Sequence, residues 1–131
     1  MSAHSTAFGL STIGQIAVTV SDVPRAVTFY RGVLGLPFLF EAPGMAFFQA
    51  GEVRLMLGVP EGTGGARLSS LVYFRVEDIH ASCKELEARG ISFTHEPRLV
   101  HRGTTADLWL AFFHDPDGNA LALMSEVPRR D

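Results

Sequence analysis

A single cysteine, Cys83, is all that the chain contains. That excludes a disulfide framework within the chain and suits a reducing compartment. Long apolar runs are missing as well, and nothing approaches the roughly 18 apolar residues a membrane span requires. Residues 1–11 are small and polar, without the basic stretch and apolar run of an export signal. Basic clusters are absent. The 11 Lys and Arg stand against 14 Asp and Glu, for a net charge of −3, which argues against the electrostatic footprint of a nucleic-acid binder. The expectation is a cytoplasmic protein with neither nucleic acid nor membrane as a partner.

What is present is ordinary globular material. Of 131 residues, 47% are hydrophobic and 19% charged, so disorder of the whole chain is excluded. A chain of this length is expected to form one domain, or two very small halves, and is long enough to bury a sizeable core.

The chain repeats itself. Residues 15–22 read Gln-Ile-Ala-Val-Thr-Val-Ser-Asp, and residues 71–78 read Leu-Val-Tyr-Phe-Arg-Val-Glu-Asp. Both are strand-like runs ending in an aspartate suited to cap a helix. Asp22 precedes a helix expected over about Val23 to Leu34, with Pro24 in its first turn, Ala26, Val27, Tyr30 and Leu34 inward and Gly35 ending it. Asp78 precedes one expected over about Ile79 to Arg89, with Ile79, Cys83, Leu86 and Ala88 inward and Gly90 as its stop. Later, Ala46-Phe47-Phe48 matches Ala111-Phe112-Phe113. Each triplet leads through a turn to a further strand, the second turn being Asp115-Pro116-Asp117-Gly118-Asn119.

Each half therefore reads β-α-β-β-β, over about 12–59 and 69–126. Residues 60–68 are the linker, 1–11 a flexible tail and 127–131 a short C-terminal tail. The glycines of the linker, Gly62, Gly64 and Gly65, lack the Lys-Ser/Thr sequel of a phosphate loop. The fold class is α+β. Two such modules pair their sheets into a curved mixed sheet, with the helices on the outer face and a ligand trough opposite.

Residues 16–36, Ile-Ala-Val-Thr-Val-Ser-Asp-Val-Pro-Arg-Ala-Val-Thr-Phe-Tyr-Arg-Gly-Val-Leu-Gly-Leu, together with Asp-Pro-Asp-Gly-Asn before a last strand, resemble the vicinal oxygen chelate superfamily. That superfamily includes glyoxalase I, bleomycin-resistance proteins and extradiol dioxygenases. The resemblance covers about Ile13 to Glu126. It implies four metal-ligand positions in the trough: two on the first strands of the halves, seven residues before the capping aspartate, and two on the last strands. Here the first pair is Gln15 and Leu71. The last-strand position three after Asn119 is Ala122, and aligning Gly51 with Gly118 makes Leu55 its counterpart. Gln15 alone offers an electron pair, whereas a Zn²⁺, Fe²⁺ or Mn²⁺ centre needs at least three protein donors. A shift of two residues adds only Tyr73. No metal ligand and no cofactor is therefore assigned; a divalent ion would need a separate, unrecognised site.

The remaining candidates each have two readings. Gln15 hydrogen-bonds a ligand, or is satisfied by backbone or water. Tyr73 presents its hydroxyl to a ligand or packs in the core; Arg75 binds a carboxylate or sits at a solvated strand end. Trp109 stacks on a flat ligand or joins the core or a dimer contact. His95 and His101 flank Glu96-Pro97-Arg98 and are the weak catalytic candidates, since histidine titrates near neutral pH. His4 falls in the tail, His80 on a helix surface and His114 at an exposed turn. Cys83 faces inward, as an inert packing residue.

The resemblance then leaves two functions. One is a binding protein of the bleomycin-resistance kind, holding a small apolar or flat molecule against Gln15, Leu55, Leu71, Tyr73, Trp109 and Ala122. The other is a metal-dependent lyase, isomerase or dioxygenase of the glyoxalase type. Superfamily members commonly pair, and the large side chains Phe38, Phe40, Phe47, Phe48, Leu108, Trp109, Leu110, Phe112 and Phe113 exceed what two helices can cover. A homodimer is expected.

Overall fold

A computed structural model describes residues 8–59 and 71–129. The expected linker over 60–68 lies outside the described residues. Alternation of side chains turns Gln15–Thr19 into strand β1, and the Asp22 carboxylate then accepts the Arg25 backbone N–H at 3.1 Å, opening helix α1 over Val23–Val27. The helix does not continue to Leu34 as an α-helix. Thr28–Val33 is π-helical, with the Leu34 N–H donating to the Phe29 carbonyl at 3.0 Å. The wider turn still delivers Tyr30 into the core. Strands β2 (Phe38–Ala42), β3 (Met45–Ala50) and β4 (Val53–Gly58) complete the first module.

The second module repeats the plan with β5 (Val72–Arg75), α2 (Ile79–Ala88), β6 (Arg98–Arg102), β7 (Ala106–His114) and β8 (Ala120–Pro128). The Asp78 carboxylate accepts the Ala81 N–H at 3.0 Å, and Gly90, at φ +98, follows the end of α2 as the sequence predicts. Ala88 is exposed rather than inward. Strand β8 runs past 126 to Pro128, two residues into the stretch expected as a tail. No helix among the described residues is long and apolar enough to cross a membrane.

The fold is α+β, in two modules. Its strands form two four-stranded mixed sheets, ordered β1-β4-β3-β2 and β5-β8-β7-β6. In each, the strand before the helix lies parallel to the last strand, and the other pairings are antiparallel. Where one curved sheet was expected, the strands among the described residues hydrogen-bond as two sheets, each with the strand before its helix, β1 or β5, at one end.

Side-chain parity divides each sheet into a helix side and an open side. The helix sides of both modules share one core, including Val18, Tyr30, Phe48, Leu55 and Leu57 from the first and Ile79, Cys83, Phe113, Leu121 and Leu123 from the second. Burying each large apolar side chain contributes about 1.5–3 kcal/mol. The polar links between modules, at about 1 kcal/mol each, are the smaller force but set the alignment. Tyr30 donates to Asp115 Oδ2 at 2.8 Å, Asn119 Nδ2 donates to the Thr19 carbonyl at 2.8 Å, and the Arg89 Nη1 donates to the Val33 carbonyl at 3.0 Å.

Candidate functional site

The open side of the first sheet is set by register. Gln15 pairs with Arg54 and Ala17 with Met56 across β1 and β4, while Phe47 pairs with Met56 and Gln49 with Arg54 across β3 and β4. Gln15 is exposed. Its Oε1 accepts the Arg54 Nε–H at 2.9 Å, and its Nε2 lies 3.9 Å from the Met56 sulfur. The Arg54 guanidinium carbon sits 5.3 Å from the Phe47 ring centroid, and Phe47 stacks on Phe40 at 4.5 Å.

On the second sheet Tyr73 pairs with Ala122, and Ala122 with Phe112. Tyr73 is 44% exposed, so it is not a core residue, and its ring meets that of Phe112 edge-on at 6.2 Å. Ala122 is fully buried and stands outside the core shared by the helix sides. Leu71 immediately precedes β5 and is 38% exposed. Arg75 forms an exposed ion pair with Glu126, so its cation is already partnered.

One sequence expectation is corrected, for Leu55, and one left open, for Trp109, is decided. Leu55 lies in the core on the helix side, pairing with Ile16 and Phe48. The cause is turn length. Phe48 pairs with Leu55 but Phe113 pairs with Leu121, so the second hairpin has one more residue between matched strands. The structural counterpart of Ala122 is Met56, which holds the same place opposite Phe47 that Ala122 holds opposite Phe112. A one-residue offset reverses the face of every side chain after it. Trp109 is also on the helix side, packed against the core with its ring 5.2 Å from that of His80. It shares the parity of Ala111 and Phe113, not of Phe112.

The weak catalytic candidates do not meet. His95 lines a cavity of about 280 Å³ with His80, Cys83, Lys84 and Glu87 beside α2. His101 is exposed on β6, paired with Leu108, and is not among the walls of that cavity. Cys83 is buried, and burial first, then the Glu87 charge, pushes its thiol up to about 11. Such a thiol is a poor nucleophile.

The four positions where the fold would hold a divalent metal carry Gln15, Met56, Leu71 and Ala122. These residues do not fit one: they offer a single amide oxygen, already bonded to Arg54, and one thioether. A guanidinium beside them opposes a further cation. Among the described residues, no three His, Cys, Asp or Glu side chains group to hold a metal ion.

Arg54, Met56, Phe40, Phe47 and Phe112 were not singled out from sequence as site residues. Period-2 counting from Gln15 through the parallel pairing with β4 is the signal that finds Arg54 and Met56.

Comparison with known proteins agrees with this architecture. The family model of the Glyoxalase/Bleomycin resistance protein/Dioxygenase superfamily matches residues 12–123. A lactoylglutathione lyase of Haemophilus influenzae is 31% identical over 113 residues, covering 76% of this chain and 81% of that one. Among solved structures, a lactoylglutathione lyase from Agrobacterium tumefaciens superposes with a TM-score of 0.76 at 24% identity, covering 89% of this chain and 95% of the other. A superfamily member from Sphaerobacter thermophilus gives 0.73 at 27% identity, covering 89% and 98%. The chain belongs to the Glyoxalase/Bleomycin resistance protein/Dioxygenase superfamily.

Proposed function

We propose that the chain is a small-molecule binding member of this superfamily with a degenerate metal site. Its ligand is a small flat or apolar molecule, held on the open sheet faces that carry Gln15, Met56, Leu71, Tyr73 and Ala122. The observation that supports this reading is the donor set: Met56 and Ala122 occupy equivalent register positions, and neither supplies a carboxylate. What these faces do supply is an apolar floor with a few polar anchors, the usual character of a small-molecule site.

The second reading is a metal-dependent lyase, favoured by the 31% identity to the Haemophilus influenzae lactoylglutathione lyase. A lyase of that type uses a divalent ion to polarise a carbonyl and a carboxylate to move a proton. An assay of lactoylglutathione formation with added Ni²⁺ or Zn²⁺, run beside elemental analysis of the purified protein, separates the two. The expected result is no metal-dependent turnover and no stoichiometric metal bound through Gln15. Turnover that requires the ion and is abolished in Gln15→Ala replaces the binding reading with the enzyme.

A further inference from the structure

Arg54 does not have the setting of an ordinary surface arginine. Its Nε is committed to Gln15 Oε1 at 2.9 Å, and its guanidinium lies over the Phe47 ring. Phe47 is itself 8% exposed and stacks on Phe40. Two contacts in different directions fix the side chain, while no acceptor among the described residues takes Nη1 or Nη2.

The rest of that sheet face bears no opposite charge. By register, Ala17, Thr19, Met45, Phe47, Gln49 and Met56 share it with Gln15 and Arg54, and none is acidic. Glu52 lies beyond it, in the turn between β3 and β4. The other arginines on open sheet faces belong to the second sheet: Arg75, which Glu126 neutralises, and Arg98, exposed on β6 opposite Leu110. On the first sheet one oriented cation is therefore left, beside an aromatic floor.

We infer that the ligand is an anion: a small carboxylate with a flat apolar body, whose carboxylate is received by the Nη groups of Arg54 and whose body lies on Phe40, which is 46% exposed and backed by the buried Phe47. This deepens the binding reading given above and rests on it. A planar guanidinium already held at Nε is preorganised for a two-point contact with a carboxylate. A solvated ion pair alone adds little, so the aromatic floor must supply the apolar part of the affinity.

The test uses two probes with the same ring system, 2-naphthoate and 2-naphthamide, titrated into the full-length protein and its Arg54→Met and Arg54→Lys variants. Affinity is read by calorimetry and location by NMR shift changes at Phe40 and Phe47. Circular dichroism confirms that the variants fold, as expected for an exposed position. The expected result is at least about a tenfold preference for the naphthoate in the unaltered protein. The preference is lost in Arg54→Met and reduced in Arg54→Lys, which lacks the planar fork. Equal affinity for the two probes, or a preference that survives Arg54→Met, overturns the anionic ligand while leaving an apolar binding face in place. Failure of both probes to bind overturns this inference and the binding reading together.

Discussion

Cys83 illustrates how far burial alone changes a residue. It has no role in the proposed site, yet its thiol ionises near pH 11 in place of the ordinary 9.0. Since the unfolded chain gives up that proton first, stability from this group is complete below pH 9 and falls as pH rises from 9 toward 11. We expect the urea midpoint to drop between about pH 8 and 10, by an amount equivalent to roughly 1 kcal/mol. Cys83→Ala should remove that drop, and a pH profile unchanged in the variant would refute the assignment. Tyr30 adds a fall at higher pH, above the ordinary tyrosine range. Its hydroxyl is raised by burial, by the Asp115 charge and by the hydrogen bond to Asp115. Asp115 in turn is buried but fully partnered, since it also accepts the backbone N–H groups of Asp117 and Asn119 and the Asn119 side chain, each at 2.8 Å. A buried carboxylate survives only with such partners, which is a structural reason for Asp-Pro-Asp-Gly-Asn.

Elements were legible in the sequence wherever a local rule settles them. Both capping aspartates, both glycine stops and the β-α-β-β-β order follow from propensity and periodicity. The π-helical turn after Val27 does not; it carries Tyr30, which donates to Asp115 in the other module. Nor does the face of β4, which depends on one residue of turn length. Two glycines test the turns in different ways. Gly118 has φ +85 and open space where a Cβ would go, so Gly118→Ala should cost only the left-handed backbone penalty, about 1–2 kcal/mol. At Gly103, between β6 and β7, a Cβ would lie 2.4 Å from the Ala106 carbonyl oxygen, to which the Gly103 N–H donates at 2.9 Å. Gly103→Ala should therefore cost more and loosen the β6–β7 hairpin. Urea denaturation ranks the two, and hydrogen exchange at Arg102 and Ala106 locates the second effect; Gly118→Ala proving the worse would contradict both contacts.

For the whole molecule, exposure points to association. Leu39, Phe40, Leu71, Tyr73 and Val127 are each about two-fifths exposed, and Phe8 and Leu10 are 93% exposed. Among the described residues, β1 and β5 each have one unpaired edge. Open edges beside apolar surface invite pairing with another chain. We expect a homodimer built on a twofold axis, which hides such surface with one self-complementary patch. Sedimentation at micromolar concentration checks it: a species near 14.2 kDa, the mass of one chain, would leave the open faces bare and remove the dimer.

The sequence by itself determined the duplicated α+β plan, both helix starts and both glycine stops, because each depends on residue type and short spacing. Only the tertiary structure decided which residues share the open faces with Gln15, Leu71 and Ala122. It moved Leu55 to the core, chose packing against the core for Trp109, and brought Arg54 and Met56 beside Gln15, with Phe47 under Arg54. The physical reason is that strand faces alternate with a period of two. Register between strands 39 residues apart, as for Gln15 and Arg54, is fixed by turn length and by packing of the whole sheet rather than by any local preference.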